Sequence, residues 1–194
     1  MLQQQKVVFQ TKVYISAFLS RNLASMSLKI EPIGSEELFL LEKICRKTFY
    51  DTFHKQNTKE DMELFLDSSF NTAVLRFELS QPFNHFFFAK MDDEIVAYLQ
   101  LSTARSLELV GAVLEISRIY VLQESIGAGI GKALMEFAFS FARQMNKSIV
   151  FLGVWEHNEK AISFYKRFGF KKFGEHIFMV GKDAQTDWLM KKEL

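Results

Sequence analysis

Three glycines, Gly127, Gly129 and Gly131, stand at every second position, with Lys132 directly behind them. Backbone N–H groups in such a stretch can close on an anion with no side chain in the way. A helix starting there adds the pull of its dipole. The chemistry on offer is the holding of a phosphate or pyrophosphate. Two common forms of this device fail on spacing. A dinucleotide-binding turn, G-x-G-x-x-G, needs its last glycine where Lys132 or Leu134 stands. An ATP-binding P-loop needs glycine at Ile126 and Ser or Thr at Ala133.

A second group follows in Asn158-Glu-Lys-Ala161-Ile-Ser-Phe164-Tyr165-Lys-Arg-Phe168-Gly169-Phe170. Asn158 suits a helix N-cap, Ala161, Ile162, Tyr165 and Phe168 share one helical face, and Gly169 ends the helix. Ahead of the glycines, Glu115 to Val121 alternate β-branched and aromatic residues with polar ones, as a strand does. Behind them Leu134, Ala138, Phe141 and Met145 recur at helical spacing.

Taken in order, this strand, the GxGIG-type turn and the N-x-x-A-x-x-F-Y-x-x-x-G-F helix resemble the GNAT superfamily of acetyl-CoA-dependent N-acetyltransferases. The resemblance covers about residues 28 to 194. One departure is Ile126, where the family usually has Arg or Gln three places before the middle glycine. The resemblance implies an α/β fold: a twisted mixed sheet, largely antiparallel, splayed at the central strand near Val121 and flanked by helices. It implies acetyl-CoA as co-substrate and no metal. The backbone of Ile119, Tyr120 and Val121 and the turn residues Ile126, Gly127, Ala128, Gly129, Ile130, Gly131 and Lys132 map onto the family's cofactor site. Asn158, Ala161 and Tyr165 complete it. Dimers are common in the family, so a homodimer is compatible with it.

Acetyl transfer sets its own requirements. An amine must lose a proton, attack the thioester carbonyl and have the departing thiolate protonated, with donors fixed in advance for the oxyanion. The resemblance assigns those donors to Ile119 through Val121 and the acid to Tyr165, whose ordinary pKa of about 10 keeps it protonated at neutral pH. The alternative for Tyr165 is a core aromatic on an amphipathic helix. Strand alternation puts Glu115 on one face with Ser117 and Ile119, which makes it the candidate base. A solvent-facing structural acid, with ordered water doing the work, is the alternative.

The acceptor side carries a narrower resemblance. Thr48-Phe-Tyr-Asp-Thr-Phe53, Asn57-Thr58, Glu60-Asp-Met62, Leu152-Gly-Val-Trp-Glu156 and Gln185-Thr-Asp-Trp-Leu-Met190 are similar to Pai-type spermidine/spermine acetyltransferases. This implies a small polyamine acceptor beside Asp51, Glu60, Asp61 and Trp155, carboxylates suiting a polycation. Acids on a solvated helix face are the other explanation for each of them. Two further functions stay open: acetylation of a protein or peptide amine, and a CoA-binding sensor without turnover.

The whole chain has to position these groups. Its 194 residues, 48% hydrophobic and 24% charged, fit one full-sized soluble domain. A net charge of +1 argues against nucleic acid or an anionic membrane as a partner. Residues 1–26 hold Lys6, Lys12 and Arg21 and no acid, leaving 21 basic against 23 acidic residues in the remainder. That leader is too polar to span a membrane and lacks a signal-peptide layout. It resembles a transit peptide faintly. It is read here as an extension from an upstream start or an expression artefact, with Met26 as the natural beginning and 27–194 as the acetyltransferase domain.

From Leu28 to Ile33 the pattern predicts a strand, then helices from Ser35 to about Asp51, from Thr58 onward and near Val74 to Ser80. The Thr58–Asp61 spacing resembles a capping box. Strands are predicted at His85–Lys90, Ile95–Leu101, Ser148–Val154, Lys171–Phe178 and Asp187–Lys192, with a hairpin turn at Met91–Glu94. Phe86-Phe87-Phe88 reads as a strand buried on both faces. Cys45, the single cysteine, falls on an apolar helix face and suits a packed thiol in a reducing, cytoplasmic compartment. His54, His85, His157 and His176 show no metal-ligand spacing.

Overall fold

The computed structural model describes residues 27–104 and 109–194. The expectation about the leader lies outside the described residues. Among the described residues, seven strands form one sheet in the order β1-β2-β3-β4-β5-β7-β6. These are β1 (Leu28–Pro32), β2 (Asn84–Met91), β3 (Glu94–Ser102), β4 (Val113–Val121), β5 (Ile149–Trp155), β6 (Lys171–Val180) and β7 (Asp183–Glu193). Helices α1 (Leu38–Phe53), α2 (Lys59–Ser69) and α3 (Thr72–Ser80) precede β2, α4 (Ile130–Gln144) links β4 to β5, and α5 (Glu159–Arg167) links β5 to β6.

Two apolar cores lie on opposite faces of this sheet. On one face α4 and α5 pack Leu134, Ala138 and Tyr165 against Leu99, Leu114, Ile116 and Leu152. On the other, α1–α3 pack Leu41, Phe49, Met62 and Leu75 against Phe86, Phe88 and Tyr98. Phe86 and Phe88 point into one core and Phe87 into the other, so the three-Phe strand is buried on both faces. Cys45 is fully buried, and burial pushes its thiol up to about 12, leaving it a packing group. Met145, the last apolar position expected on α4, caps the helix and is exposed.

Every strand pair is antiparallel except β4–β5. That parallel ladder joins only Val113, Leu114 and Glu115 to Ile149, Val150 and Phe151. Beyond it the two strands separate, which splays the sheet where expected. The β3–β4 ladder also slips. Gln100 pairs with Arg118 and Leu101 with Ile116, so Ser117 is an extra, bulged residue.

That bulge corrects one sequence expectation. Alternation resets at Ser117, and Ile119 shares a face with Leu114 and Ile116. Glu115, opposite Ser102, shares its face with Arg118 and Tyr120 instead.

The ends of the elements follow local chemistry. Thr58 caps α2 by accepting from the Asp61 N–H at 3.1 Å. The Asp61 carboxylate is one methylene shorter than glutamate, and it accepts from the Thr58 hydroxyl at 2.6 Å rather than reaching the backbone. Asn71 caps α3 by accepting from the Val74 N–H at 2.9 Å, so the helix starts at Thr72, two residues earlier than the periodicity predicts. Asp92 and Asp93 have φ of 49° and 67°, a primed hairpin turn that Asp tolerates.

The β6–β7 hairpin is longer than its apolar pattern, because Asp183 and Gln185 keep pairing although polar. Its tip docks on the start of α2: the Lys182 N–H donates to Asp61 Oδ1 at 2.8 Å, and Lys182 Nζ meets Glu60 at 2.9 Å. Gly181 makes the approach possible. Its φ is +60°, and a Cβ there would sit 2.5 Å from the Asp61 Cα. Gly181→Ala is expected to destabilise the protein by about 1–3 kcal/mol through backbone strain and the forced shift of α2. A urea unfolding midpoint checks it.

Candidate active site

The splayed strands open into a cavity of about 720 Å³. Its walls are Ile116–Val121 of β4, Gly153–Trp155 of β5, the C-terminal turns of α1, the glycine turn and α5. One end is built from the glycines. Gly127 and Gly129 have φ of 95° and 80°, a left-handed backbone that glycine adopts without strain, and Gly129 is the N-cap of α4. The first helical hydrogen bond runs from the Ala133 N–H to the Gly129 carbonyl. The N–H groups of Ile130, Gly131 and Lys132 therefore open the helix without an intrahelical acceptor.

Among the described residues, Lys132, Lys160 and Arg167 are cations that line this end. Only Lys132 was picked out from the sequence. Lys160 and Arg167 lie on α5 at the spacing that puts them on one side of the helix with Phe164, a signal a helical wheel carries. Open donors, glycines and cations suit a ligand bearing several phosphates. Lys160→Ala and Arg167→Ala are each expected to weaken acetyl-CoA binding several-fold, with the loss shrinking at high salt, as titration calorimetry at two ionic strengths would read.

All the expected cofactor positions line the cavity except Ala128. Asn158 Oδ1 accepts from the Ala161 N–H at 3.2 Å, so its carbonyl is spent on capping α5. Tyr165 packs its ring in the core against Phe164 and Phe170 while lining the cavity. Among the described residues no group hydrogen-bonds its hydroxyl, and burial pushes the phenol well above its ordinary pKa. The Tyr165 ring is thus a packed core aromatic, and its phenol keeps its proton at neutral pH.

The expected acceptor residues divide. Asp51 and Trp155 line the cavity, Asp51 holding Lys47 at 2.6 Å. Glu60 and Asp61 do not; they hold the β6–β7 hairpin at the surface. Glu115 is also off the lining: it is still paired with Phe151 in the β4–β5 ladder, before the strands part.

Several groups escaped the sequence reading. Arg118 forms a two-pronged ion pair with Glu78, at 2.5 and 2.9 Å, and lies over the Phe70 ring, tying α3 to β4 under the cavity. No periodic signal marks a part-buried ion pair between residues so far apart in sequence. Phe178 also lines the cavity, as do Phe53 and Asp187, which fall within the acceptor-side phrases but were not singled out there. Burial raises the Asp187 carboxyl to about 6, with His176 pulling the other way. Among the described residues no cluster of three or more His, Cys, Asp or Glu could hold a metal. No helix among them is long and apolar enough to cross a membrane.

A cleft in a split sheet, open N–H donors at a helix start and a tyrosine lining the cleft suit an acyl-CoA ligand. The sequence model of the "Acetyltransferase (GNAT) family" matches residues 43–170, and the chain belongs to that family. It is 43% identical over 169 residues to an uncharacterized N-acetyltransferase of Lactobacillus delbrueckii, covering 86% of this chain and 98% of that relative. An uncharacterized N-acetyltransferase of Mycobacterium tuberculosis is 30% identical over 154 residues, covering 79% and 96%. The PaiA N-acetyltransferase of Thermoplasma acidophilum, solved with coenzyme A, has the same fold at a TM-score of 0.72 and 22% identity, covering 87% and 100%. The chain is an acetyl-CoA-dependent N-acetyltransferase.

Proposed function

We propose that the acceptor is a small aliphatic polyamine of the spermidine or spermine type. The observation carrying this is the acceptor end of the cavity. There the rings of Phe53 and Trp155 meet edge-on at 6.2 Å, and Asp51 and Asp187 supply carboxylates. Aromatic faces and carboxylates suit a methylene chain ending in an ammonium. Transfer is direct. The β4 backbone from Ile119 to Val121 polarises the thioester carbonyl, and Tyr165 gives its proton to the departing sulfur. The single buried Cys45 suits a reducing, cytoplasmic setting.

The test is CoA release from acetyl-CoA against spermidine, spermine, small monoamines and a lysine peptide. Polyamines turned over with at least tenfold higher kcat/KM than the peptide are expected. Turnover of the peptide alone overturns the polyamine reading and leaves peptide-amine acetylation. Tight acetyl-CoA binding with no turnover across the panel favours a sensor.

A further inference from the structure

β7 lies one strand beyond the cleft, so a side chain on it would ordinarily be screened by β5. At the crossing point β5 carries Gly153. A Cβ there would lie 3.4 Å from Asp187 Oδ2 and 3.6 Å from His176 Cε1. The missing side chain gives Asp187 its way across, and it lines the same cavity as Tyr120, Tyr165 and Trp155. Charge on Asp187 and on Tyr165 bears on the Tyr120 phenol, so the three groups stand close enough to interact.

The other groups around it come from every neighbouring element. His176 is its register partner on β6, and Trp155 on β5. Arg118 on β4 is held by Glu78, and Asp51 on α1 by Lys47. At the end of β5, Glu156 and His157 face each other at 4.0 Å. Among the described residues no Lys or Arg forms an ion pair with Asp187, and its carboxylate accepts no hydrogen bond.

We propose that Asp187 is the group that takes the proton from the acceptor's ammonium; this rests on the acetyltransferase reading above. The ammonium N–H bond breaks and its proton passes to an Asp187 oxygen. The freed lone pair forms the N–C bond to the thioester carbonyl carbon, whose π pair moves onto oxygen. Collapse breaks the C–S bond, and sulfur takes the Tyr165 proton. The surplus proton on nitrogen leaves to solvent, solvent returns one to Tyr165, and Asp187 releases its own. The products are the acetamide, CoA thiol and one proton. A carboxyl raised by burial is a stronger base than an exposed one, yet still ionised at neutral pH.

Two measurements on the full chain test this. The first follows kcat/KM for spermidine between about pH 5 and 8 in wild type, Asp187→Asn and Asp187→Glu, with acetyl-CoA affinity from calorimetry. Wild type should show an acid limb near pH 6. Asp187→Asn should lose about 100-fold in kcat and the limb with it, acetyl-CoA affinity holding within about twofold, and Asp187→Glu should recover part of the rate. An acid limb that survives in Asp187→Asn, or one that vanishes in Glu115→Gln instead, overturns the assignment.

The second needs no acceptor. A carboxyl whose pKa is raised in the fold favours the native state while protonated, and that advantage is lost as pH rises from about 4 through about 6. The neutral amide of Asp187→Asn loses nothing, so its Tm advantage over wild type should widen across that window. A gap that stays flat sinks the proposal even where no amine has been found. A widening gap with no spermidine turnover, but with turnover of another amine whose rate falls in Asp187→Asn, sinks the polyamine reading and upholds the site at Asp187. A widening gap with no turnover of any amine overturns both.

Discussion

Tyr165→Phe is expected to lower kcat by about 10²- to 10³-fold while the Kd for acetyl-CoA stays within about twofold of wild type. The ring is packed against Phe164 and Phe170, and phenylalanine keeps that packing. Only the hydroxyl goes, and it makes no hydrogen bond within the described protein. Stability should therefore hold or rise slightly, since no protein partner is left unsatisfied. A fall in rate with unchanged affinity is the signature of a group acting only in the transition state. A rise in Kd at constant kcat would make the hydroxyl a binding group and leave the thiolate to be protonated from elsewhere. Steady-state rates and calorimetry on the same preparation separate the two.

Gly129→Val is expected to weaken acetyl-CoA binding at least about 100-fold, a loss of about 2.7 kcal/mol or more. Gly129 sits at φ 80° and ψ −1° at the mouth of α4. A β-branched residue avoids that region, so the turn must re-form and carry the open N–H groups of Ile130 to Lys132 out of line. Gly131→Ala is the contrast. Gly131 lies inside α4, and its added Cβ would meet the Phe164 ring at 3.4 Å, an ordinary contact, so the folded helix survives. Full affinity in Gly129→Val would remove the turn from the phosphate site.

The parts of this site legible in the sequence are those made by neighbours in the chain. The glycine turn, the Asn158 cap and the Tyr165 helix are each written in consecutive residues, and each stands where its spacing implied. The sheet's splay followed from the resemblance. What was not legible comes from contacts between distant segments. Nothing in EISRIYV marks Ser117 as a bulge, because the extra residue exists only relative to the β3 register. Reading straight through it turned Glu115 onto the wrong face. Glu60 and Asp61 look like free acids until the β6–β7 hairpin folds over on them. Asp187 and Gly153 both fall in acceptor-side phrases of the sequence, but that Gly153 leaves Asp187 its way to the cleft shows only once β5 and β7 pair.

The short β4–β5 ladder has a consequence for cohesion. Among the described residues, three ladder pairs and the bonds from the Ser148 and Ile149 N–H groups to the Ala112 carbonyl are what join strands β1–β4 to strands β5–β7 through the backbone. Strands held by so little are candidates to open as separate cooperative units, with amides along Ile116–Val121 exchanging faster than those paired deep in β3. A ligand lodged between the halves touches both and acts as the mortar of the sheet. At a hundred times its Kd it would add about 2.7 kcal/mol to the folded state. The enzyme's durability would then rise and fall with the acetyl-CoA supply around it.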